Sequence, residues 1–176
     1  MLDKTVNSRI LLYFLLVCYV FISIVYVFAG TLHLDEGAYL YAARSVYKGA
    51  IPYKDFFFLQ PPVYPYIYGI SQWMLPGLIS GRITSVIFST ACLLLLLHWH
   101  RRQQNPSAAL ITLALLTSNT FQLYFFTITR LYALAGFFLV LGCIILTRNP
   151  YPNLRDGILS MLFFAFMVGT RITLLP

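Results

Sequence analysis

The chain has 176 residues, of which 60% are apolar, 17% are aromatic and only 10% are charged. A soluble domain of this length cannot bury so many apolar side chains in one core, so we expect lipid to cover the rest. The net charge of +7 does not indicate nucleic acid, because most basic residues flank apolar runs and do not form a patch. Composition therefore predicts an all-α membrane protein with multi-pass transmembrane helices, a lipid bilayer as its partner and no nucleic-acid partner.

Membrane-spanning helices are predicted wherever about 20 apolar residues follow one another, the length that crosses the hydrocarbon. The apolar stretch 107–146 has roughly twice that length, and we divide it into two helices with a tight turn near residues 127–130. The last apolar run reaches the C-terminal residue, so we expect the chain to be the N-terminal part of a longer transmembrane domain. The predicted spans are 10–30, 78–99, 107–126, 130–147 and 158–176.

The positions of the cations predict the orientation. They precede the first span and follow the second and the fourth, which is one side of the membrane if the spans alternate. By the positive-inside rule that side is the cytoplasm. We therefore expect a cytoplasmic N-terminus and an outward loop at 31–77, with a bacterial inner membrane as the default location. The cations concerned are Lys4, Arg9, Arg101, Arg102, Arg148 and Arg155.

Three of the five acidic residues, Asp35, Glu36 and Asp55, lie in this outward loop. The segment from Asp35 to Lys48 is predicted to be a helix along the membrane. Acids in its first turn and Lys48 in its last complement the helix dipole, and Gly49 is a common stop. The adjacent carboxylates of Asp35 and Glu36 allow two compatible interpretations, an N-terminal cap of that helix or a catalytic group held near lipid.

A proline-rich turn, Gln60-Pro61-Pro62, follows the aromatic run at residues 56–58. The paired prolines fix the backbone and prevent a helix from running through them. Aromatic side chains suit the membrane interface, where a ring lies half in water and half in lipid. Composition alone favours a loop that follows the membrane surface.

Several short motifs, taken in order, resemble one known family. These motifs are His33-Leu34-Asp35-Glu36-Gly37-Ala38-Tyr39, Ala42-Ala43-Arg44, Gly49, Pro52-Tyr53, Gln60-Pro61-Pro62-Val63, Gly81-Arg82, Arg130-Leu131-Tyr132-Ala133-Leu134 and Arg171-Ile172-Thr173-Leu174-Leu175-Pro176. They are similar to the opening of the GT-C-fold glycosyltransferases, in the branch of protein O-mannosyltransferases and lipid A aminoarabinose transferases. That branch typically shows an Asp-Glu pair after the first span, a Pro-Pro motif and an Arg that opens the second span.

The resemblance implies a glycosyltransferase that moves a sugar from a polyprenyl-phosphate donor to a glycan, lipid or protein acceptor on the outer face. Asp35 would be the general base that removes the acceptor hydroxyl proton. Glu36 would orient Asp35 or help to hold a divalent metal cation, the one cofactor implied. Arg82, Arg130 and Arg171 would stabilise the charge of the leaving phosphate. The alternative for each arginine is snorkelling to the lipid headgroups.

The chain departs from the family pattern at two points. Relatives often carry a second acid near the outer end of the third or fourth span, whereas residues 127–132 contain none. Gln60 stands where a lysine is usual. Both departures weigh against a two-carboxylate metal site.

Two other functions stay open. A non-catalytic membrane partner of an envelope-polysaccharide system agrees with the missing second acid and the abrupt end of the chain. A transporter or lipid flippase is less favoured, because ion-coupled transport places ionisable groups within the spans and the acids here lie outside them.

Overall fold

A computed structural model describes residues 2–149, 151, 153–171 and 173, with side chains from residue 10 onwards. Within these residues every regular element is a helix, which confirms the predicted all-α class. The helices are α1 (Leu2–Ala29), α2 (Leu34–Tyr47), α3 (Val63–Met74), α4 (Leu78–Arg102), α5 (Pro106–Ser118), α6 (Thr120–Thr127), α7 (Leu131–Thr147) and α8 (Leu154–Thr170).

Two helices, α1 over Ile10–Ala29 and α4, are each long and apolar enough to cross a membrane. Large apolar side chains of α1, among them Phe21 and Phe28, are exposed and free to contact lipid. Both helices match the predicted first and second spans. The chain is therefore a membrane protein with a long loop between these two spans.

The predicted third span, 107–126, is a bent pair of helices. The axes of α5 and α6 meet at 78°, and the pair is apolar enough to form one broken span. Asn119 explains the break, because its side chain accepts a hydrogen bond from the backbone N–H of Gln122, 3.0 Å away, and so caps α6. The part of the chain described here therefore holds two candidate spans, or three if this bent pair forms one span.

The fourth and fifth predicted spans correspond to α7 and α8, which have 17 residues each. At a helical rise of about 1.5 Å per residue each is about 26 Å long, slightly less than the ~30 Å hydrocarbon core. The tight turn predicted near residues 127–130 is confirmed, since α6 ends at Thr127 and α7 begins at Leu131. The predicted end of the fifth span, including residues 172 and 174–176 of the last motif, lies outside the described residues.

The loop at 31–77 contains two helices, of which one was predicted. α2 ends as expected: Lys48 caps it and Gly49 takes a φ of 89°, which glycine adopts without strain. α3 begins directly after Pro62, so no helix runs through the proline pair Pro61-Pro62. α3 itself was not predicted. The predicted helical character of this loop is confirmed, while the side of the membrane that it faces stays a prediction.

Both loop helices pack into the bundle. Gly69 of α3 allows the close approach, because a Cβ at this position would meet the ring of Tyr47 in α2 at 2.2 Å. Tyr64 and Tyr68 are fully buried and stack with their ring centroids 4.1 Å apart. This packing therefore fixes the position of α2 relative to the spans. The core that holds it consists of Ala42, Ala43, Phe58, Tyr64, Tyr68, Leu131, Leu134, Ala135, Phe138 and Met167.

Candidate functional site

The candidate site is built around the first turn of α2, which residues 30–33 join to the end of α1. The N-cap is His33, whose Nδ1 accepts a hydrogen bond from the backbone N–H of Asp35 at 3.2 Å. In return the carboxylate of Glu36 accepts a hydrogen bond from the backbone N–H of His33 at 3.0 Å. This reciprocal arrangement is a capping box. The predicted cap is thus formed by His33 and Glu36, and Asp35 contributes only its backbone.

The carboxylate of Glu36 is completely buried and has four hydrogen-bond donors. Oε1 accepts from Nε of Arg82 and from the backbone N–H of Thr129, both at 2.9 Å. Oε2 accepts from Nη2 of Arg82 at 2.7 Å and from the N–H of His33 at 3.0 Å. A carboxylate offers about four acceptor positions, and all are filled from within the protein. Glu36 therefore joins α2 to α4 and to the turn between α6 and α7.

Arg82 is equally enclosed, with 1% of its surface exposed. Besides Glu36, its guanidinium donates to backbone carbonyl oxygens at the C-terminal end of α1. A cation is favourable there, because the last carbonyls of a helix carry partial negative charge. The bonded carbonyl groups are those of Tyr26, Val27, Gly30 and Thr31, at 2.9–3.3 Å.

These contacts bear on two assignments made from the sequence. Arg82 was predicted to contact the donor phosphate or to snorkel to the headgroups, but each of its N–H groups already faces an acceptor within the protein. Glu36 was predicted to hold a metal cation as one option, but both of its oxygens are occupied. The two residues form a buried ion pair that positions neighbouring groups.

Burial and hydrogen bonding act on Glu36 in opposite directions. Burial by itself raises the pKa of the Glu36 carboxyl. The hydrogen bonds from Arg82, His33 and Thr129, together with the positive charge of Arg82, outweigh that effect and lower the pKa below its ordinary value of 4.5. Glu36 is therefore a carboxylate at neutral pH, which suits a partner for a buried guanidinium.

Asp35 has a different environment, although it is the neighbouring residue. Its side chain is 44% exposed and forms an ion pair with Nη2 of Arg130, at the turn before α7. Consecutive helix residues are rotated by about 100°, so one carboxylate enters the bundle while the other lies at its surface. Asp35 opens into a cavity of about 380 Å³. The cavity is lined by Asp35, Ala38, Tyr39, Tyr41, Phe57, Phe58, Leu59, Gln60, Arg130, Leu131, Tyr132 and Arg171.

Four of the residues predicted from the sequence thus meet in one cavity: Asp35, Gln60, Arg130 and Arg171. Both guanidinium groups lie against the ring of Tyr132, with centroid distances of 5.6 Å for Arg130 and 4.4 Å for Arg171. Such contacts hold a cation in place. Nη2 of Arg130 bonds to Asp35 and Nε of Arg171 donates to Oγ1 of Thr173 at 2.8 Å, while their other N–H groups have no partner among the described residues. With two guanidinium groups and one carboxylate, the lining has an excess of positive charge.

The Gln60-Pro61-Pro62 turn contributes through its first residue. Oε1 of Gln60 is buried and, among the residues described, has no hydrogen-bond partner. Pro61 and Pro62 do not line the cavity; they lie between Gln60 and the first turn of α3. The turn therefore brings Gln60 to the wall of the cavity, while the amide oxygen itself is buried in the protein.

The lining does not fit a divalent metal cation. Asp35 supplies the single carboxylate, the oxygens of Glu36 are occupied, and two guanidinium groups repel a cation. Mg²⁺ and Ca²⁺ require several oxygen ligands, usually including carboxylates. Over the described ranges of the chain no group of three or more His, Cys, Asp or Glu side chains is placed to bind a metal.

Several residues that line the cavity or bond to Glu36 were not predicted as site residues. Tyr39 follows Asp35 by one helical turn, so helical spacing contained a signal for it. Tyr132 follows Arg130 by two residues, and both tyrosines belong to the motifs without a predicted role of their own. The backbone N–H of Thr129 and the capping role of His33 have no signal of their own in the sequence.

No family model, curated protein or solved structure matches this chain. The functional assignment therefore depends on the geometry of the cavity and on the order of the motifs.

Proposed function

We propose that this chain belongs to a membrane glycosyltransferase that moves a sugar from a polyprenyl-phosphate donor to an acceptor hydroxyl on the outer face. The observation that carries the proposal is the partly exposed carboxylate of Asp35 beside two guanidinium groups in one 380 Å³ cavity. This combination matches the two requirements of glycosyl transfer from a lipid phosphate: a base for the acceptor and cations for the leaving group.

The position of the cavity also suits a lipid-linked substrate. Asp35 follows the end of α1 at Ala29 by six positions, and Arg82 near the start of α4 is bonded to the residue beside it. The cavity therefore lies at the end of both spans, near the depth of the headgroups. A polyprenyl phosphate anchored in the bilayer would present its phosphate and sugar at that depth.

In the proposed reaction the acceptor O–H donates its proton to Asp35 as its oxygen bonds to the anomeric carbon of the sugar. The bond between that carbon and the phosphate oxygen breaks, and its electron pair leaves with the polyprenyl phosphate. Arg130 and Arg171 stabilise the added negative charge. Glu36 and Arg82 act as positioning residues, since they fix the start of α2 and hence the backbone of Asp35.

The ring-rich lining supports a sugar substrate as well. Tyr39 and Phe58 line the cavity and offer apolar faces for the C–H side of a pyranose or furanose ring. The same lining includes the charged side chains of Asp35, Arg130 and Arg171, so the polar groups of a sugar and a lipid phosphate can both be accommodated.

The test is transfer by the full-length protein in reconstituted membranes, supplied with a panel of polyprenyl-phosphate hexoses and pentoses. Free polyprenyl phosphate, the product common to all donors, is measured. Asp35→Asn should lower the rate by about 10²–10⁴-fold, the usual contribution of a general base. Asp55→Asn is the matched control, because Asp55 lies in the same loop outside the cavity and its carboxylate accepts a hydrogen bond from the backbone N–H of Ile51. Undiminished transfer by Asp35→Asn would overturn the assignment of the base.

A non-catalytic membrane partner is the second candidate. The observation that favours it is the ion pair between Asp35 and Arg130, which accounts for both charges without a substrate. A wild-type protein that releases no polyprenyl phosphate from any donor of the panel would favour this candidate. The transporter alternative gains no such support, since Asp35, Glu36 and Asp55 all lie between the two long spans.

A further inference from the structure

A second groove lies at the opposite end of α2 from Asp35. Its volume is about 320 Å³, and it is formed where the C-terminal turn of α2 meets the end of α3 and the residues before α4. The lining residues are Arg44, Tyr47, Lys48, Gln72, Trp73 and Pro76. The proposed transfer reaction uses none of them.

A buried amide holds Arg44 in place. Nε of Arg44 donates to Oε1 of Gln72 at 3.0 Å, and Gln72 is only 3% exposed. Gln72 is itself fixed by the backbone of Gly77 and by Oγ of Ser80, to which its Nε2 donates at 2.6 Å. The guanidinium therefore has a defined position, which lowers the entropic cost of binding a ligand.

The groove carries two positive charges without an acid to balance them. Lys48 follows Arg44 by four residues, so the two side chains lie on the same face of the helix end. Within the described residues the Nη groups of Arg44 and the ammonium of Lys48 make no hydrogen bond, and no Asp or Glu lines the groove. An anion with several acceptor oxygens, such as a phosphate, would satisfy both cations at once.

The groove opens next to exposed apolar side chains. Trp73, Met74 and Leu75 are 72%, 73% and 63% exposed and lie three to five positions before the span α4. Three consecutive exposed apolar side chains are unfavourable in water but suit the membrane interface, where tryptophan is enriched. The cations therefore lie at headgroup depth, with an apolar surface beside them on the bilayer side.

We propose that this groove binds the phosphate of an anionic phospholipid, with Arg44 and Lys48 on the phosphate and Trp73 and Met74 along the acyl chains. The apolar surface continuous with the groove favours a lipid over a free phosphate, which would leave it uncovered. The site is separate from the proposed active site and does not depend on the glycosyltransferase assignment.

Trp73 supplies a local probe. The chain has two tryptophans, and Trp99→Phe removes the other without losing a hydrogen bond, since the buried Nε1 of Trp99 has no partner among the described residues. The 176-residue chain carrying Trp99→Phe is reconstituted in phosphatidylcholine vesicles with increasing fractions of brominated phosphatidylglycerol or brominated phosphatidylcholine. Quenching of Trp73 reports a brominated chain beside it. We expect brominated phosphatidylglycerol to quench at clearly lower fractions than brominated phosphatidylcholine.

Two matched variants, Lys48→Gln and Lys54→Gln, test whether the preference for phosphatidylglycerol arises in the groove. Lys48→Gln should reduce the preference for phosphatidylglycerol about fivefold, the effect of one cation near an anionic surface. The Lys48 side chain makes no hydrogen bond within the described residues, so this variant should keep the fold, and unchanged quenching by brominated phosphatidylcholine checks that. Lys54→Gln removes the same charge from the same loop outside the groove and should keep the preference.

Three outcomes would overturn the proposal. One is equal quenching by both brominated lipids in the Trp99→Phe protein. Another is an equal loss of preference in Lys48→Gln and Lys54→Gln, which would indicate general surface charge instead of a groove. The third is complete reversal of the quenching by millimolar glycerol 3-phosphate, which would show that the groove takes a soluble phosphate.

Discussion

Replacing Glu36 by glutamine tests the buried ion pair that positions the candidate site. Each oxygen of Glu36 accepts one hydrogen bond from Arg82 and one from a backbone N–H group. Whichever way the new amide turns, its NH₂ group faces one of these donor pairs, and the buried guanidinium loses its counter-charge. Removing one partner of a buried ion pair costs about 3–5 kcal/mol. We expect the free energy of unfolding to fall by that amount.

The measurement is SDS-induced unfolding of the purified chain in mixed micelles, followed by circular dichroism. Asp55→Asn is the control, because the exposed carboxylate of Asp55 accepts one backbone hydrogen bond that an asparagine oxygen can also accept. That control should stay within about 0.5 kcal/mol of wild type. Arg82→Gln combined with Glu36→Gln should cost less than the two single changes added together, since no charge is then left unpaired. An unfolding free energy of Glu36→Gln within about 0.5 kcal/mol of wild type would refute the reasoning.

Three further measurements test the same geometry. Because the pKa of Glu36 is lowered on folding, its contribution to stability is complete above its ordinary value of 4.5 and is lost as the pH falls through the lower folded pKa. An unfolding titration should show this acid-dependent decline in wild type, and the part due to position 36 should vanish in Glu36→Gln. If the proposed transfer reaction holds, Arg171→Gln should raise the KM for the proposed lipid donor about ten- to hundredfold, as expected for a lost hydrogen bond to a charged group. Arg155→Gln, at the other end of α8, should leave that KM unchanged in the same transfer assay. A cysteine introduced at Lys54 in a cysteine-free background should react with a membrane-impermeant maleimide in intact cells, and labelling only after lysis would reverse the predicted orientation.

The sequence was sufficient to predict those helices and helix ends that depend only on residues close together in the chain. The spans α1 and α4 follow from uninterrupted apolar length, and the end of α2 follows from Gly49 and its positive φ. The bend at Asn119 also had a local signal, since asparagine within an apolar run tends to cap a new helix. α3 was missed because its start after two prolines resembled a continuing turn.

The arrangement of the charges had no local signal. Glu36 and Arg82 are 46 positions apart, and the contact between them depends on how α2 docks against α4. From the sequence, Arg82 was one of three similar arginines near the ends of spans. Only packing separates it from Arg130 and Arg171, because it alone of the three meets a buried carboxylate and the carbonyl groups that end α1.

The adjacent carboxylates illustrate how one short motif can serve two purposes. The carboxylate of Glu36 accepts four hydrogen bonds from within the protein, so it has no acceptor position left for a ligand. These bonds fix the start of α2. Asp35 shares that fixed backbone but lies one residue earlier on the helix, so its carboxylate reaches the cavity with a defined direction. A flexible loop could bring a carboxylate to the same place, but only for part of the time. The buried contacts of Glu36 are therefore the physical reason that Asp35 keeps a defined position beside Arg130, whatever substrate the cavity binds.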